Sequence, residues 1–240
     1  AKAIDVALQI KKTPIVVNDS RGFFTSRVIT TFMGEAVALL SEGVPAPSIE
    51  QAALQSGYPT GPLALFDEVS ISLGQRIFHE ARRGAHEAGT PWVEHPSYSV
   101  IDYMVDDAKR GGRASGAGFY DYEEGKRLGL WSGLIDTFGG TNTAIGFEDM
   151  KERMLFAEVL ESVKCWEEGV LRSVPEANIG SIFGIGFPAW TGGVLQYVNG
   201  YPGGVAGFVA RAEQLAALYG ERFAPTAGLK AMAAQGRRFE

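Results

Sequence analysis

The stretch that decides the fold reads RVITTFMGEAVALLSEGV and runs from residue 27 to residue 44. Its apolar residues recur at helical spacing and form one stripe, made of Val28, Ile29, Phe32, Ala36, Leu39 and Leu40. Such a stripe is typical of a helix that packs against a hydrophobic core. Thr25 or Ser26 can cap its start and Gly43 can end it, so the pattern predicts one helix bounded by these residues.

A second stretch, RMLFAEVLESVKCWEEGV from 153 to 170, repeats the first. Three pairs align at an offset of 126 residues: Arg27 with Arg153, Glu35 with Glu161, and Gly43 with Gly169. The following turn recurs as well, as Gly57-Tyr58-Pro59 and Gly186-Phe187-Pro188, and Gly61 aligns with Gly192. Two amphipathic helices can look alike by chance, but no helical period requires the shared turn. We therefore predict two related helical halves that pack about a pseudo-twofold axis, as a self-complementary pair would.

Further helices are predicted around this core pattern. One begins near Pro47 and stops at Gly57, another begins at Pro62 and runs toward Gly84 or Gly89, and a polar one covers 103–109. Residues 123–147 are glycine-rich and show no period, which predicts a linker or extended crossing segment. Helical spacing returns from Asp149 onward.

The start of the chain has a different character. Residues 3–10 are typical of the end of a helix, and the β-branched run Pro14–Val17 predicts a short strand. A lone strand needs a sheet. It pairs either with a later segment of this chain or, the interpretation we favour, it is the last piece of a sheet domain that lies upstream.

Composition excludes several classes of function. The 240 residues carry 22 basic and 28 acidic side chains, a net charge of −6, and no basic stripe, so nucleic-acid binding is not predicted. The single cysteine, Cys165, lies on a helical stripe and is interpreted as a core thiol; it rules out an internal disulfide. No apolar run is long enough to span a membrane and no secretory signal is visible, so a cytoplasmic location is expected.

Few residues suggest chemistry of their own. His79, His86 and His95 lack a third ligand at convincing spacing, so no metal site is predicted. A Ser-His-Asp arrangement is not ruled out by sequence order, but no nucleophile elbow is present.

Two segments, one glycine-rich and one basic, are candidates for a ligand site. Gly116-Ala117-Gly118 resembles part of a dinucleotide loop, yet it does not continue as GxGxxG, and a tight turn is favoured. The cluster of Lys109, Arg110 and Arg113 could meet a phosphate, although a solvated face is favoured. The chain thus shows no cofactor-binding residues of its own.

Three motifs resemble a known family. Residues 18–27, NDSRGFFTSR, resemble the signature that opens the C-terminal domain of 3-hydroxyacyl-CoA dehydrogenases. GYPTGPLALFDEV (57–69) and ASGAGFYDY (114–122) resemble that domain's Gly-Tyr-Pro turn with its helix and its closing segment. FGIGFPAWTGG (183–193) is similar to the degenerate second copy in long multifunctional β-oxidation enzymes, which also carry a hydratase domain upstream.

The resemblance implies a fold and a division of the chain. The fold is all-α, with two related domains like the C-terminal domain of 6-phosphogluconate dehydrogenase packed as a pseudo-dimer, and a short N-terminal strand left from an absent Rossmann domain. The boundaries implied are 1–18 for the tail of that nucleotide-binding domain, 19–122 for the first helical domain, 123–147 for the linker and 148–240 for the second copy.

It also implies an activity and site residues. The family oxidises (S)-3-hydroxyacyl-CoA with NAD, which the upstream domain binds together with a catalytic His–Glu pair. The family's active-site Asn corresponds to Ser26, whose hydroxyl offers one donor where an amide offers two. Pro59 and Leu65 match residues that line the acyl pocket. Arg27 is expected to anchor its helix.

The predicted function is therefore the C-terminal part of such a dehydrogenase in fatty-acid β-oxidation, inactive in isolation. Its partners would be the substrate, its own Rossmann domain and a thiolase β-subunit. Two alternatives stay open: a non-catalytic helical interaction module, and a self-sufficient hydrolase. Ser26 itself has two interpretations, a residue of the cleft that faces substrate or a helix cap.

Overall fold

Helices account for nearly all the regular structure. The computed structural model describes residues 2–240, and within them it has twelve α-helices and one two-stranded antiparallel sheet. In the first half the elements are α1 (Lys2–Gln9), α2 (Thr25–Ser41), α3 (Ala46–Ser56), α4 (Pro62–Val69), α5 (Ile71–Glu87), α6 (Ser97–Asp102), β1 (Tyr120–Glu123), β2 (Lys126–Leu130) and α7 (Gly133–Phe138). They continue as α8 (Phe147–Glu167), α9 (Val174–Ile185), α10 (Val194–Gly200), α11 (Gly204–Tyr219) and α12 (Ala227–Ala234). The all-α prediction is confirmed.

The deciding helix forms where its apolar stripe predicts it. On α2, Val28, Phe32, Ala36 and Leu39 are fully or almost fully buried. Gly43 ends the helix with a φ of +80°, a left-handed conformation in which glycine is favoured. Pro62 occupies the first turn of α4, as predicted.

Three predicted elements need correction. The helix expected from Pro62 toward Gly84 or Gly89 is two helices, because Ser70 has a φ of +92°, and its side chain caps α5 by accepting the Leu73 N–H. The polar helix predicted at 103–109 is instead a π-helical turn, Tyr103–Asp107, which continues directly from α6. The linker predicted for 123–147 contains β2 and α7.

The hairpin β1–β2 was missed for a physical reason. Its turn residues, Glu124 and Gly125, both have positive φ values, +49° and +75°, as a tight hairpin turn requires. Glu is an unusual residue in that conformation, so the pair does not stand out in the sequence.

The strand predicted over Pro14–Val17 does not form as a regular strand. Val17 makes an isolated antiparallel bridge with Leu171, and the Asn18 N–H donates to the Val170 carbonyl at 2.9 Å. The segment therefore pairs with a later part of the chain, which was the less favoured of the two interpretations.

The chain packs as two compact units that do not follow sequence order. The first comprises the described chain up to Phe32, Gly57–Pro59 and Glu152–Glu240, and the second comprises Met33–Ser56 and Thr60–Lys151. The first has an aromatic core in which Phe156 and Phe208 stack with ring centroids 4.2 Å apart. The predicted boundaries at 18, 122 and 147 do not coincide with the limits of these packing units, and they stay predictions.

Candidate functional site

Ser26 lies on the exposed side of the first turn of α2. Its neighbour Phe24 is buried, whereas Phe23 is 54% exposed with a φ of +50°. Within residues 2–240 the Ser26 hydroxyl makes no hydrogen bond. The main-chain carbonyl of Ser26 accepts one from the Thr30 hydroxyl at 2.7 Å. The side chain therefore does not act as a cap, and its hydroxyl is free to meet a ligand.

Arg27 anchors the start of α2, as the sequence predicted. Its guanidinium forms ion pairs with Glu161 and Glu168 on or just after α8, and the pairing with Glu168 raises the Arg27 pKa further. The Asn18 side chain adds a hydrogen bond of 2.7 Å to the Gly169 carbonyl. These contacts fix the segment that carries Ser26 against the end of α8.

Pro59 belongs to a turn that packs against its counterpart in the other sequence repeat. A methyl group on Gly57 would lie 3.2 Å from the Pro188 ring, and one on Gly186 would lie 2.9 Å from the Pro59 ring. The rings of Tyr58 and Phe187, both buried, meet edge to face at 6.1 Å. The contacts are reciprocal, as expected across a pseudo-twofold axis. Pro59 itself is exposed.

Tyr58 holds this turn to α8 through a buried carboxyl group. The Tyr58 hydroxyl donates to Glu158 Oε2 at 2.5 Å, and Glu158 is fully buried. Burial raises the pKa of Glu158 to about 8, although the Tyr58 hydrogen bond lowers it. The same burial, together with the Glu158 charge, raises the pKa of Tyr58 well above its usual value. At neutral pH the Glu158 carboxyl is therefore mostly protonated.

Leu65 is half-buried on α4, and Glu50 positions that helix. The Glu50 carboxylate, on α3, accepts the Leu63 N–H at 2.7 Å and the Ala64 N–H at 3.2 Å. These are donors of the helix's first turn, which otherwise lack partners. Gly61 is required beside it, because a methyl group there would lie 1.4 Å from the Glu50 Oε2 atom.

The second repeat caps its corresponding helix in the same way. The Asn178 side chain, on α9, accepts the Leu195 and Gln196 N–H groups at 3.0 and 3.1 Å at the start of α10. Gly193 precedes α10 as Gly61 precedes α4. The pairing of Gly61 with Gly192 read from the sequence is thus displaced by one residue.

The segment Gly116–Gly118 serves a structural purpose. The buried Asp67 carboxylate accepts the Phe119 and Tyr120 N–H groups at 2.8 and 2.9 Å, and a methyl group on Gly118 would lie 2.0 Å from its Oδ1 atom. A strand follows, whereas a dinucleotide loop opens a helix. These residues do not fit a nicotinamide cofactor.

The basic cluster near this segment is also occupied by the fold. Arg110 donates to the Gly118 and Tyr120 carbonyls at 2.6 and 2.9 Å and lies 4.6 Å over the Trp131 ring. Arg113 pairs with Glu68 at 2.8 Å. Both guanidinium groups therefore have partners within the fold.

One Ser-His-Glu arrangement exists, but it cannot act as a hydrolase triad. His95 Nδ1 lies 2.8 Å from Ser97 Oγ, and His95 Nε2 lies 3.8 Å from Glu35 Oε2. Ser97 is only 1% exposed, so no substrate can reach its hydroxyl. This arrangement therefore gives no support to the hydrolase alternative.

Two other candidate residues, Cys165 and His79, are likewise engaged by the fold. Cys165 is fully buried, and burial raises its pKa to about 11, which fits the predicted core thiol. His79 pairs with Asp102 at 3.1 Å. Residues 2–240 contain no group of three or more metal-ligating side chains, and no helix among them is long and apolar enough to cross a membrane.

Residues 2–240 include an exposed apolar helix and a pocket of mixed polarity. The helix α1 buries none of its residues, and Val6, Leu8 and Ile10 are 55–63% exposed. A pocket of about 340 Å³ lies beside Thr25, which directly precedes Ser26; it is lined by the basic residues Lys11 and Lys12 and by part of α9, including the exposed Phe183.

The family of the first repeat follows from its sequence. Residues 22–122 match the family model described as "3-hydroxyacyl-CoA dehydrogenase, C-terminal domain". The segment thus matches the family that its motifs predicted.

Relatives extend the similarity to the whole chain. The "Fatty acid oxidation complex subunit alpha" of Vibrio vulnificus (strain CMCP6) is 35% identical over 242 residues, and that of Shewanella amazonensis is 37% identical over 245 residues. Each match covers 100% of this chain and 33% of the relative. The chain thus spans about a third of the length of these relatives.

Solved structures confirm the fold. The chain resembles 3-hydroxybutyryl-CoA dehydrogenase from Escherichia coli K12 with a TM-score of 0.67 at 19% identity, over 98% of this chain and 64% of that one. It also resembles the dehydrogenase part of multifunctional enzyme 1 from C. elegans, with a TM-score of 0.66 at 20% identity, over 95% of this chain and 52% of that one.

The site residues divide between the packing units. Ser26 and Pro59 lie in the first unit and Leu65 in the second.

Sequence reasoning missed Glu158 and Glu50. Glu158 had a visible signal, because it is an acidic residue four positions from Met154 and Ser162 on the buried face of α8.

Proposed function

We propose that this chain is the C-terminal part of an NAD-dependent (S)-3-hydroxyacyl-CoA dehydrogenase of fatty-acid β-oxidation. In this role it completes the acyl-substrate cleft and does not perform hydride transfer alone. The observation that carries the proposal is the family match of residues 22–122, within a chain similar along its full length to subunits of a fatty acid oxidation complex.

The exposed helix α1 supports an upstream partner domain. Its apolar face is unburied along its length, and apolar surface of this extent normally meets another protein surface. The proposed occupant is the chain's own Rossmann domain, which would bind NAD, since the Gly116–Gly118 segment does not fit that cofactor. NAD would supply the hydride acceptor. We further propose that the full protein assembles with a thiolase subunit and is located in the cytoplasm.

The residues of this chain would act on the substrate from one side. Ser26, exposed and without a hydrogen-bond partner in the described chain, would contact the hydroxyacyl group or the catalytic His of the other domain. Pro59 and Leu65 would contact the acyl chain. An apolar wall of this kind excludes water from hydride transfer.

The test compares two lengths of protein. The longer protein encoded by the gene is incubated with 3-hydroxyacyl-CoA and NAD, and NADH formation is followed by absorbance; the 240-residue chain is assayed beside it. We expect turnover by the longer protein only, and negligible NAD binding to the 240-residue chain in calorimetry.

Two outcomes would contradict the proposal. A longer protein that folds and binds its partners but oxidises no 3-hydroxyacyl-CoA would favour the non-catalytic interaction module. Stoichiometric, micromolar NAD binding by the 240-residue chain would show that a cofactor site lies within it.

A further inference from the structure

We propose that the pocket beside Thr25 binds an amphipathic anion, specifically an aliphatic carboxylate of medium length. The pocket belongs wholly to the first packing unit and has a volume of about 340 Å³. This volume is at the lower end of small-molecule sites and holds a ligand of roughly ten non-hydrogen atoms. The inference does not depend on the proposed function, because every residue that lines the pocket belongs to this chain.

Two lysines bring positive charge to the pocket. Lys11 and Lys12 line it and are exposed, and neither ammonium group has an ion pair or hydrogen bond within residues 2–240. The Thr25 hydroxyl, in the same lining, also has no hydrogen-bond partner in that range. Ammonium and hydroxyl groups donate hydrogen bonds, and those between an ammonium and a carboxylate are the stronger kind. The unpaired donors therefore favour an anionic ligand.

The backbone at Lys11 is unusual for a lysine. Its φ is +58°, and the next N–H, that of Lys12, donates to the Ala7 carbonyl at 2.9 Å. This pattern closes a helix, and it places Lys11 at the position after α1 where glycine is favoured. A residue other than glycine is strained in such a conformation, and strain of this kind is frequent at ligand sites. The strain thus supports a role for this cation at the pocket.

The rest of the lining suits an aliphatic chain. Ile179 and Phe183 lie one turn apart on α9, on the same face, and are 41% and 75% exposed. Ile15 approaches this face closely, because a methyl group on Gly180 would lie only 2.5 Å from the Ile15 Cδ1 atom. Two isoleucines and a phenyl ring thus offer apolar surface beside the lysines. A carboxylate at the ammonium groups, with its chain against these side chains, uses both parts of the lining.

The alternative is that these residues serve no ligand. Cations near the C-terminal end of a helix interact favourably with the helix dipole, so the two lysines could act only on α1. In that case an anion would gain nothing from an alkyl chain, and its affinity would not depend on Phe183.

The test measures binding of octanoate to the full-length protein by calorimetry. Acetate supplies the charge alone and 1-octanol the chain alone. We expect one octanoate per chain at this site with a Kd on the order of 1 mM or tighter, and at least about tenfold weaker binding of the two partial probes.

Variants locate the binding site. The double variant Lys11→Asn/Lys12→Gln, in which asparagine tolerates the left-handed backbone, should weaken octanoate binding about tenfold, and so should Phe183→Ser. The matched controls Lys126→Gln and Leu128→Ser, at exposed residues of β2, should leave the Kd unchanged. All the altered side chains are exposed, and thermal melting by circular dichroism checks that each variant is folded.

The outcomes separate this inference from the proposed function. Octanoate binding that both pocket variants retain lies elsewhere and overturns the inference. Equal affinities for acetate and octanoate also overturn it, because the apolar lining would then contribute nothing. Dehydrogenase turnover without octanoate binding overturns this inference alone. Octanoate binding that the pocket variants lose, in a protein without turnover, overturns the proposed function alone.

Discussion

The buried carboxyl of Glu158 makes a quantitative prediction about stability and pH. Its pKa is about 8 in the folded protein, raised by burial, against 4.5 as the ordinary value. Between these values the folded state holds a proton that the unfolded state has released. The contribution of such a group to the free energy of unfolding therefore decreases as the pH rises from the unfolded pKa to the folded pKa, and it decreases no further above the folded pKa.

The magnitude follows from the two pKa values. Between pH 6 and pH 8 the linkage relation gives a loss of about 2 kcal/mol in the free energy of unfolding. Full burial of the carboxyl means that solvent does not screen this effect. Tyr58, which donates to Glu158, and Tyr197, which lies near Tyr58, stay neutral in this range, because burial raises the pKa of both.

The assay is urea unfolding of the 240-residue chain at both pH values. Trp190 reports on the turn, because a methyl group on Gly57 would lie 3.0 Å from its ring. Between pH 6 and pH 8 the free energy of unfolding should fall by about 2 kcal/mol more in the wild type than in Glu158→Gln, whose side chain carries no titratable proton. Other titrating groups contribute equally to the two proteins, so only Glu158 can make their pH dependence differ. An equal pH dependence would refute the reasoning.

Three further predictions follow from other contacts. Gly118→Ala should lower the free energy of unfolding by about 2 kcal/mol or more, because the methyl group meets a buried carboxylate, whereas Gly129→Ala, in open space, should not; calorimetric melting compares them. Ser26→Ala should leave stability within about 0.5 kcal/mol and reduce kcat/KM of the full-length enzyme about tenfold, and an unchanged kcat/KM would refute its role in the cleft. Arg27→Met should lower the denaturation midpoint by an amount worth about 1–3 kcal/mol, since it leaves the half-buried Glu161 carboxylate with only the more exposed Lys164 as a partner, while Arg83→Ala, at an exposed 4.0 Å ion pair, should not.

The helices were largely predictable because their signals are local. Apolar spacing, Pro62 at a first turn and Gly43 after a last turn depend only on nearby residues. The break at Ser70 could not be predicted in this way, because contacts with residues far along the chain hold this serine in a left-handed conformation. One of them is a hydrogen bond of 3.3 Å from its hydroxyl to the Gly111 carbonyl.

The site was predictable only in part. Ser26, Pro59 and Leu65 came from motif resemblance, and their roles stay predictions. That the Ser26 hydroxyl has no partner within residues 2–240 required the structure, since its sequence position is equally suited to a cap. The partnership of Glu158 with Tyr58, a hundred residues apart, is a tertiary contact that no local pattern encodes.

The reciprocal turns bear on how the two copies diverged. Under the repeat alignment, Tyr58 corresponds to Phe187, and Glu158 corresponds to Phe32. Under this alignment the polar pair Tyr58 and Glu158 is therefore matched by the two phenylalanines Phe187 and Phe32. Losing either polar residue alone would leave the other buried without its partner, whereas replacing both by apolar residues of similar shape can be nearly neutral. The Gly57–Pro59 turn is thus tied to α8 by a buried hydrogen bond for which the Gly186–Pro188 turn, with phenylalanine at both positions, has no counterpart.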